Sequence, residues 1–229
     1  MCFGRSWSLA SFSVLAVSVA VCMMNKAPWQ ITVAVVYLAL KEMLQLHLYN
    51  NIDSCSETNK SLTTLSWVHI SFQPVFMNLF ISAFSKHKEL YNMPVALSLI
   101  FGIANMMRIK EVRGNINYPC KPNDNKQINM CRPQTCSYMG KYHVAYGFEL
   151  ASADAEAPWT PSIFTFYLLM FAPAFILGDW QLASINLSVA LASSHFLSHD
   201  AGEAAAVWCL NSFWIGFAAL YYVMSRNYR

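Results

Sequence analysis

The sequence predicts an all-α integral membrane protein, a seven-transmembrane helix bundle with one long disulfide-rich outer loop. Of its 229 residues, 56% are hydrophobic and only 12% are charged, and the mean hydropathy is +0.34. Soluble domains carry about 25% charged residues, so this composition is typical of a chain in a bilayer. A membrane-spanning helix needs about 20 mostly apolar residues. Seven segments approach that length: 7–24, 29–49, 62–84, 93–108, 161–177, 180–195 and 204–224.

The first segment has two interpretations. Arg5 precedes its apolar run, as in a signal peptide. Lys26 and Pro28 follow the run at once, without a small-residue cleavage site, so we expect a retained helix. We therefore expect residues 1–229 to form a single transmembrane domain.

The polar stretch 109–159 is expected to be an extramembrane loop held by cross-links. Its end, residues 142–153, is expected to form a short helix lying at the membrane interface. Segment 180–195 is the weakest of the seven spans, because it is short and contains Asn186.

Charges in the short loops predict the orientation. With the N-terminus outside and the C-terminus in the cytoplasm, the inner side carries a set of basic residues: Lys26, Lys86, Lys88, Arg226 and Arg229. The same orientation places Asn59-Lys60-Ser61, a glycosylation sequon, on the outer side.

Four cysteines fall on the predicted outer side: Cys55, Cys120, Cys131 and Cys136. Disulfides persist in oxidising compartments, so we expect two disulfides there, with all three connectivities open. The alternative is a zinc site formed by Cys120, Cys131, Cys136 and His143.

Polar side chains recur at one depth on four predicted spans. The second span carries Glu42 and Gln45 in its outer half, and the third carries His69 and Gln73, which share a helix face. Pro74 is expected to kink the third span. Polar residues also stand where the last two spans meet the outer face: His195, His199 and Glu203. Ionisable groups inside spans face the bundle interior and pair with one another, which predicts an outward-facing polar pocket. The alternative is that His69 and Gln73 bond to Glu42 and Gln45 and simply hold helices together.

The spacing His195-x-x-x-His199 allows two imidazoles on one helix face to hold a metal ion, with His69 as a third ligand. Glu42 or Asp200 would then act as general base, and Ser66 would hydrogen-bond the substrate. This set resembles the alkaline ceramidase and adiponectin-receptor superfamily, which implies zinc and lipid amide hydrolysis. That family also uses an aspartate on the next helix, and no Asp lies between Asp53 and Asp124 here.

Stretches along nearly the whole chain resemble an uncharacterised family of multi-pass membrane proteins from bacteria and large DNA viruses, a domain of unknown function. They are Met1-Cys2, 41–45, Cys55, Trp67-Val68-His69-Ile70-Ser71-Phe72-Gln73-Pro74, 142–146 and 203–210. The resemblance implies no activity and does not include His195 or His199. It singles out as pocket residues Glu42, Gln45, His69, Gln73, His143 and Glu203.

We therefore expect a polytopic membrane protein that binds or transports a ligand or serves as a subunit of a membrane complex. The alternative is a metal-dependent hydrolase acting on a lipid amide or ester. The expected partners are the lipid bilayer, a lipid or small-molecule ligand, and other membrane proteins. A net charge of +3 without basic runs argues against nucleic acid. A retinal-binding pump is also excluded, because segment 204–224 has no lysine.

Overall fold

A computed structural model describes residues 4–52, 54–116, 130–151, 163–198, 200–207 and 209–227, which are mostly helical. Helices α1 to α9 are Arg5–Met24, Trp29–Tyr49, Glu57–Ser82, Asn92–Met106, Lys110–Arg113, Ile163–Ile176, Trp180–Leu197, Ala201–Val207 and Cys209–Asn227. A 3₁₀ turn, Lys88–Tyr91, precedes α4, and strands β1 (Cys136–Met139) and β2 (Val144–Gly147) lie between α5 and α6.

Each of the first six predicted segments lies on one helix, and the seventh is divided between α8 and α9. Among the described residues, α1 and α2 are long and apolar enough to cross a membrane by length and composition. Shorter apolar helical stretches are Phe164–Ile176 and Ser212–Ser225. The seven-span arrangement stays a prediction.

Helix α3 begins earlier than its apolar pattern predicts, because a polar first turn precedes the apolar run. The Ser56 hydroxyl accepts a hydrogen bond from the Asn59 backbone N–H at 3.3 Å, and this N-cap starts the helix. Pro74 lies within the helix. At the level of Pro74, the Asn78 amide donates to the Pro74 and Leu169 carbonyls, each at 2.8 Å, and thereby joins α3 to α6.

Helices that follow one another in the chain pack together from α1 to α4, and α6 packs on α3, α4 and α7. The C-terminal helix α9 packs on α7, α1 and α2. One apolar core lies between these helices, with members that include Leu15, Ile31, Phe80, Met170 and Ile215.

The helices bury polar side chains and expose apolar ones. Buried polar residues include Ser8, Ser11, Ser18, Lys41, Glu42, Gln45, Thr63, Ser71, Gln73, Asn78, Ser98, Asn105 and Ser212. Exposed large apolar residues include Leu9, Val17, Trp29, Leu40, Leu65, Leu97, Ile100, Phe164, Ile176, Ile185, Trp214 and Phe217. The helices also bury apolar residues such as Leu15 and Phe80, so what differs from the surface helices of a soluble domain is the set of exposed large apolar side chains and the many buried polar ones.

Residues 130–151 form a unit that we call the cap. Its β1 and β2 pair antiparallel, with Cys136 opposite Gly147 and Met139 opposite Val144. The prediction of a short helix over 142–153 is therefore wrong in the residues described. Val144 and Tyr146 favour a strand, and the partner strand supplies the backbone hydrogen bonds that a lone helix would have made internally.

The cap lies over the ends of α2, α3 and α4. An isolated bridge joins Ile109, just after α4, to Leu150, and β1 contacts α3 while β2 contacts α2 and α8. A second apolar core fills this junction, and its largest members are Leu48, Trp67, Ile109, Tyr146 and Phe148.

Candidate functional site

Glu203 on α8 fastens the cap to the C-terminal part of the chain. Its side chain is 2% exposed. One carboxylate oxygen, Oε1, accepts hydrogen bonds from the backbone N–H groups of Tyr142 and His143, the second at 2.7 Å. The other, Oε2, accepts from the Ser198 hydroxyl at 2.8 Å. Three donors therefore satisfy this buried carboxylate.

Two glycines permit this close approach of α8 and the cap. A Cβ atom on Gly202 would lie 2.1 Å from the Tyr146 carbonyl oxygen, and one on Gly140 would lie 2.7 Å from the Glu203 carboxyl carbon. Any larger residue at either position must separate the two elements.

His143 is the second buried ionisable group of the cap, at 2% exposure. Its Nδ1 accepts the Val144 backbone N–H at 2.9 Å and lies 3.1 Å from the Tyr49 hydroxyl of α2. Burial, and to a smaller extent the positive charge of Lys41, lower the pKa of His143 to about 3. The imidazole is therefore neutral at physiological pH.

Gln45 connects α1, α2 and the cap. Its amide Nε2 donates to the Tyr146 hydroxyl at 2.9 Å, and its Oε1 accepts from the Ser8 hydroxyl at 3.4 Å. Because Gln45 is fully buried, these bonds fix the cap end of α2 between α1 and β2.

Lys41 and Glu42 lie one turn before Gln45 on the same helix. Lys41 is 4% exposed and Glu42 is fully buried, although α2 is otherwise apolar enough to be a candidate membrane span. Removing two opposite charges from water is costly. The fold therefore buries two ionisable side chains at one level of an apolar helix.

His69 on α3 bonds to Tyr37 on α2. Its Nε2 lies 2.8 Å from the Tyr37 carbonyl oxygen, and the Tyr37 hydroxyl donates to the His69 carbonyl. The Tyr37 ring stacks on the imidazole and on Phe76, with ring centroids 3.7 Å apart in both pairs. A carbonyl can only accept, so Nε2 carries the proton. The Nδ1 lone pair is buried without a partner among the described residues.

Gln73 lies one turn along α3 from His69. With Tyr37, Phe76 and Ile215 it borders a narrow space between α2, α3 and α9, which does not admit a water molecule. No residue of the cap borders this space, which lies at the level of Tyr37.

Residues 7–228 match a family described as a family of unknown function (DUF5765). The chain belongs to this family. No curated protein and no solved structure matched the chain significantly. The expected membership in an uncharacterised family is therefore confirmed, and the family brings no activity to this chain.

In this DUF5765 member, the six predicted pocket residues lie at two levels. Gln45, His143 and Glu203 meet at the cap, while His69 and Gln73 lie near Tyr37. Glu42 lies on α2 between the two levels. His69 does bond across helices, but to the Tyr37 backbone rather than to Glu42 or Gln45.

The predicted metal ligands are described only in part. His69 is described above, whereas the His195 side chain and His199 lie outside the described residues. Among the residues that the structure describes, no three His, Cys, Asp or Glu side chains come together as a metal site. The predicted zinc set stays untested.

Of the other residues assigned to the hydrolase, Asp200 and Ser66 have structural partners. The Asp200 carboxylate accepts hydrogen bonds from Tyr138 at 3.0 Å and from the Gly202 backbone N–H at 2.8 Å, and pairs with Arg132 at 3.3 Å. The Ser66 hydroxyl donates to the Leu62 carbonyl, one turn earlier in α3.

The expected disulfides are confirmed for one pair, Cys55–Cys136. Cys131 is also disulfide-bonded, and Cys120 lies outside the described residues. The alternative zinc site at Cys120, Cys131, Cys136 and His143 is therefore wrong, because two of its four ligands are not free thiolates.

The sequon residue Asn59 is fully buried, and its amide is used inside the fold. Its Nδ2 donates to the Asn51 and Ser137 carbonyls at 2.8 and 2.9 Å. A sugar on Nδ2 is incompatible with these bonds, so the sequon does not support the orientation.

Three tyrosines of the site were not predicted: Tyr37, Tyr49 and Tyr146. The Tyr37 hydroxyl donates to the His69 carbonyl, and the Tyr49 hydroxyl lies within hydrogen-bond distance of His143 Nδ1. The Tyr146 hydroxyl accepts from the Gln45 amide. Tyrosine in an apolar helix is ordinarily read as an interface residue. Tyr37 and Tyr49 do have a usable signal, since both share a helical face of α2 with Lys41 or Gln45.

Proposed function

We propose that this chain is a seven-span membrane protein that binds and transports a small polar solute through a polar interior open on the cap side. The observation that carries the proposal is the burial of Lys41 and Glu42 within an apolar helix, at 4% and 0% exposure. Structural helix contacts do not require such residues, because apolar side chains pack helices at lower cost.

The bilayer part of the proposal rests on the large apolar side chains that the helices expose and the polar side chains that they bury. Soluble monomers rarely expose apolar patches larger than a few hundred Å². Here α1, α2, α4, α6 and α9 each expose several large apolar side chains, while serines, asparagines and charged groups are inside. Lipid is the environment that such surfaces fit.

The orientation rests on the disulfide. Cys55 and Cys136 both lie on the cap side, and disulfides persist in oxidising compartments. Gly4, at the start of α1, approaches the Tyr49 hydroxyl at the end of α2, so the start of α1 is on the cap side too. The cap and the N-terminus are therefore proposed to face outward, with Lys26, Lys86 and Lys88 at the cytoplasmic face.

The topology is tested with two matched exposed lysines. We expect Lys141→Cys, on the cap, to react with a membrane-impermeant maleimide in intact cells that express the protein. Lys86→Cys, on the opposite side, should react only after the membrane is opened. Extraction of the unmodified protein by alkaline carbonate, or equal labelling of both variants in intact cells, contradicts the seven-span proposal.

Transport is tested in proteoliposomes with radiolabelled sodium, chloride, glycine and succinate. We expect uptake of at least one of these solutes above that of protein-free liposomes. Lys41→Met and Glu42→Gln should each abolish it, while Lys86→Met, a matched change on an exposed loop, should not. Inserted and correctly folded protein that takes up none of the four solutes contradicts the transport proposal.

The metal-dependent hydrolase is the second candidate, and one observation favours it. His69 donates Nε2–H to a backbone carbonyl and keeps a buried Nδ1 lone pair, which is the arrangement of many metal-bound histidines. We expect the hydrolase, if it exists, to purify with about one zinc per chain and to lose it in His195→Ala. Less than about a tenth of an equivalent in the unmodified protein rules this candidate out.

A further inference from the structure

Three loops meet at the end of the helix bundle opposite the cap, and we call them the distal rim. They connect α1 to α2, α3 to α4 and α6 to α7, and comprise residues 25–28, 83–91 and 177–179. The Tyr91 hydroxyl donates to the Asp179 carboxylate at 2.9 Å, which joins the second loop to the third. Ala27 of the first loop packs on the same apolar core as Phe84 and Leu177 of the other two. The three loops therefore form one surface.

The distal rim lies one helix length from the cap. Helix α2 begins with Trp29 at the rim and ends with Tyr49, whose hydroxyl accepts the backbone N–H of Val144 in the cap at 3.3 Å. At 1.5 Å per residue, its 21 residues span about 30 Å. The hydrocarbon core of a bilayer has this thickness. A bilayer that surrounds the helices therefore places lipid headgroups at the rim.

The lysines of the distal rim have no carboxylate partner in the part of the chain that the structure describes. Lys26, Lys86 and Lys88 are all exposed, and none of them forms an ion pair there. The rim has two carboxylates, the exposed Glu89 and Asp179, which accepts from Tyr91. These two do not balance the three ammonium groups, so the rim keeps a positive charge.

Cationic side chains on the cap side are arranged differently. Three of them have a carboxylate within 3.3 Å: Lys60 pairs with Glu57, Lys110 with Glu149 and Arg132 with Asp200. The fold thus supplies anions to cations at one end of the helices and leaves the lysines at the other end for an anion from outside the chain.

Large apolar side chains surround these lysines. Trp29 and Trp180, the first residues of α2 and α7, are exposed, and so are Met24, Leu90 and Met93. Exposed tryptophans at helix ends are typical of the headgroup level of a bilayer. A free phosphate ion has no acyl chain to cover such side chains, whereas a phospholipid supplies both the anion and the chain.

We propose that the distal rim binds the headgroups of anionic phospholipids, with the ammonium groups of Lys26, Lys86 and Lys88 as donors to their phosphates. Each lysine at an anionic lipid surface strengthens binding by about fivefold. In cells the acidic leaflet is the cytoplasmic one, which agrees with a cap that faces outward. The inference rests on the bilayer part of the proposed function and does not involve transport or its solute.

The test uses the full-length protein in phosphatidylcholine vesicles with a trace of spin-labelled phosphatidylglycerol or phosphatidylcholine. The immobilised fraction in the electron paramagnetic resonance spectrum gives the relative association constant of each lipid. We expect phosphatidylglycerol to be preferred by about fivefold or more at low salt. In about 1 M salt, where charges are screened beyond about 3 Å, most of the preference should disappear. Equal association of the two lipids with folded protein at low salt overturns the inference.

Two triple variants assign the site. The rim variant replaces the three unpaired lysines: Lys26→Gln, Lys86→Gln and Lys88→Gln. The control variant removes the same charge from the cap side: Lys60→Gln, Lys110→Gln and Lys141→Gln. We expect the rim variant to bind both lipids equally and the control variant to keep the preference for phosphatidylglycerol. A preference that survives in the folded rim variant, or that both variants lose equally, overturns the inference.

Further outcomes separate a lipid from a free anion, and this inference from transport. Soluble glycerol 3-phosphate should not displace the spin-labelled phosphatidylglycerol, and full displacement overturns the assignment to lipid. Protein that immobilises neither lipid contradicts the bilayer proposal and the inference together. A preference for phosphatidylglycerol that depends on the rim lysines, without solute uptake in proteoliposomes, supports the inference and contradicts transport alone.

Discussion

The Asn59 side chain binds both backbone polar groups of Ser137. Its Oδ1 accepts the Ser137 N–H at 2.8 Å, and its Nδ2 donates to the Ser137 carbonyl at 2.9 Å. A side chain at the start of α3 thus pairs with β1 as a neighbouring strand would. The Ser137 hydroxyl also lies 2.7 Å from that of Thr63, one turn further along α3.

Asn59→Ala should destabilise the protein by about 2–4 kcal/mol, because it leaves the Ser137 N–H and carbonyl buried without partners. Thermal unfolding in detergent measures the change. Asn25→Ala, which removes an exposed amide bonded within one helix turn, should cost less than about 0.5 kcal/mol. Endoglycosidase should not change the mass of the protein produced in a glycosylating host, and a mass change would contradict the buried position of Asn59.

Cys55→Ser should lower stability by about 2–4 kcal/mol, since the disulfide closes a long loop across 81 residues. Cys136→Ser should give the same loss. Because each change removes the same disulfide, the double variant should be no less stable than either single variant. Additive losses in the double variant would show that each cysteine contributes through other contacts.

Gly102→Ala should destabilise the α3–α4 contact by about 1–3 kcal/mol, because the new methyl group overpacks it. Its Cβ would lie 2.5 Å from the Phe72 ring and 3.0 Å from the Ser71 carbonyl oxygen. Phe72→Leu, combined with Gly102→Ala, should recover part of the loss by making room. A double-mutant cycle of melting temperatures tests this, and strict additivity would contradict the proposed clash.

Stability should fall as the pH drops from 7 to 5, by about 2 kcal/mol from His143. Burial, then Lys41, lowers its pKa from 6.5 to about 3, so the unfolded chain binds a proton that the folded one does not. The loss of stability begins as the pH falls through about 6.5, the pKa of the unfolded state. It continues toward the pKa of His143 in the folded protein. His143→Gln should remove this part of the pH dependence, whereas His47→Gln should keep it. Equal slopes in all three proteins would contradict the burial of a neutral imidazole.

The sequence predicted the helices well where apolar runs were long and uninterrupted. Segment 29–49 coincides with α2, because Pro28 and the polar residues after Tyr49 mark both ends. The first turn of α3 was missed, since its helix is started by the Ser56 cap rather than by apolar periodicity. Strand β2 lies where the sequence predicts a short helix, because its pairing with β1 is a contact that no local pattern indicates.

The sequence predicts polar residues that the fold buries, but not how they are connected. Glu42, Gln45, His143 and Glu203 are all buried, and the pocket assigned to them stays a prediction. Their partners are mostly backbone groups and tyrosine hydroxyls, such as the Tyr37 carbonyl that accepts from His69. Backbone groups are present at every position of a chain, so the sequence could not indicate which of them would be used. The pairing of Cys55 with Cys136 was likewise one of three equal choices.

The long separation of Cys55 and Cys136 also sets an order for biogenesis. Helices α3 and α4 are synthesised between the two cysteines, so the Cys55 thiol emerges well before its partner. In the proposed topology both thiols meet only after α3 and α4 have entered the bilayer as a pair. In that topology the disulfide cross-links the cap only after insertion. A nascent chain halted before Cys136 therefore exposes Cys55 as a free thiol to the secretory oxidants of its host.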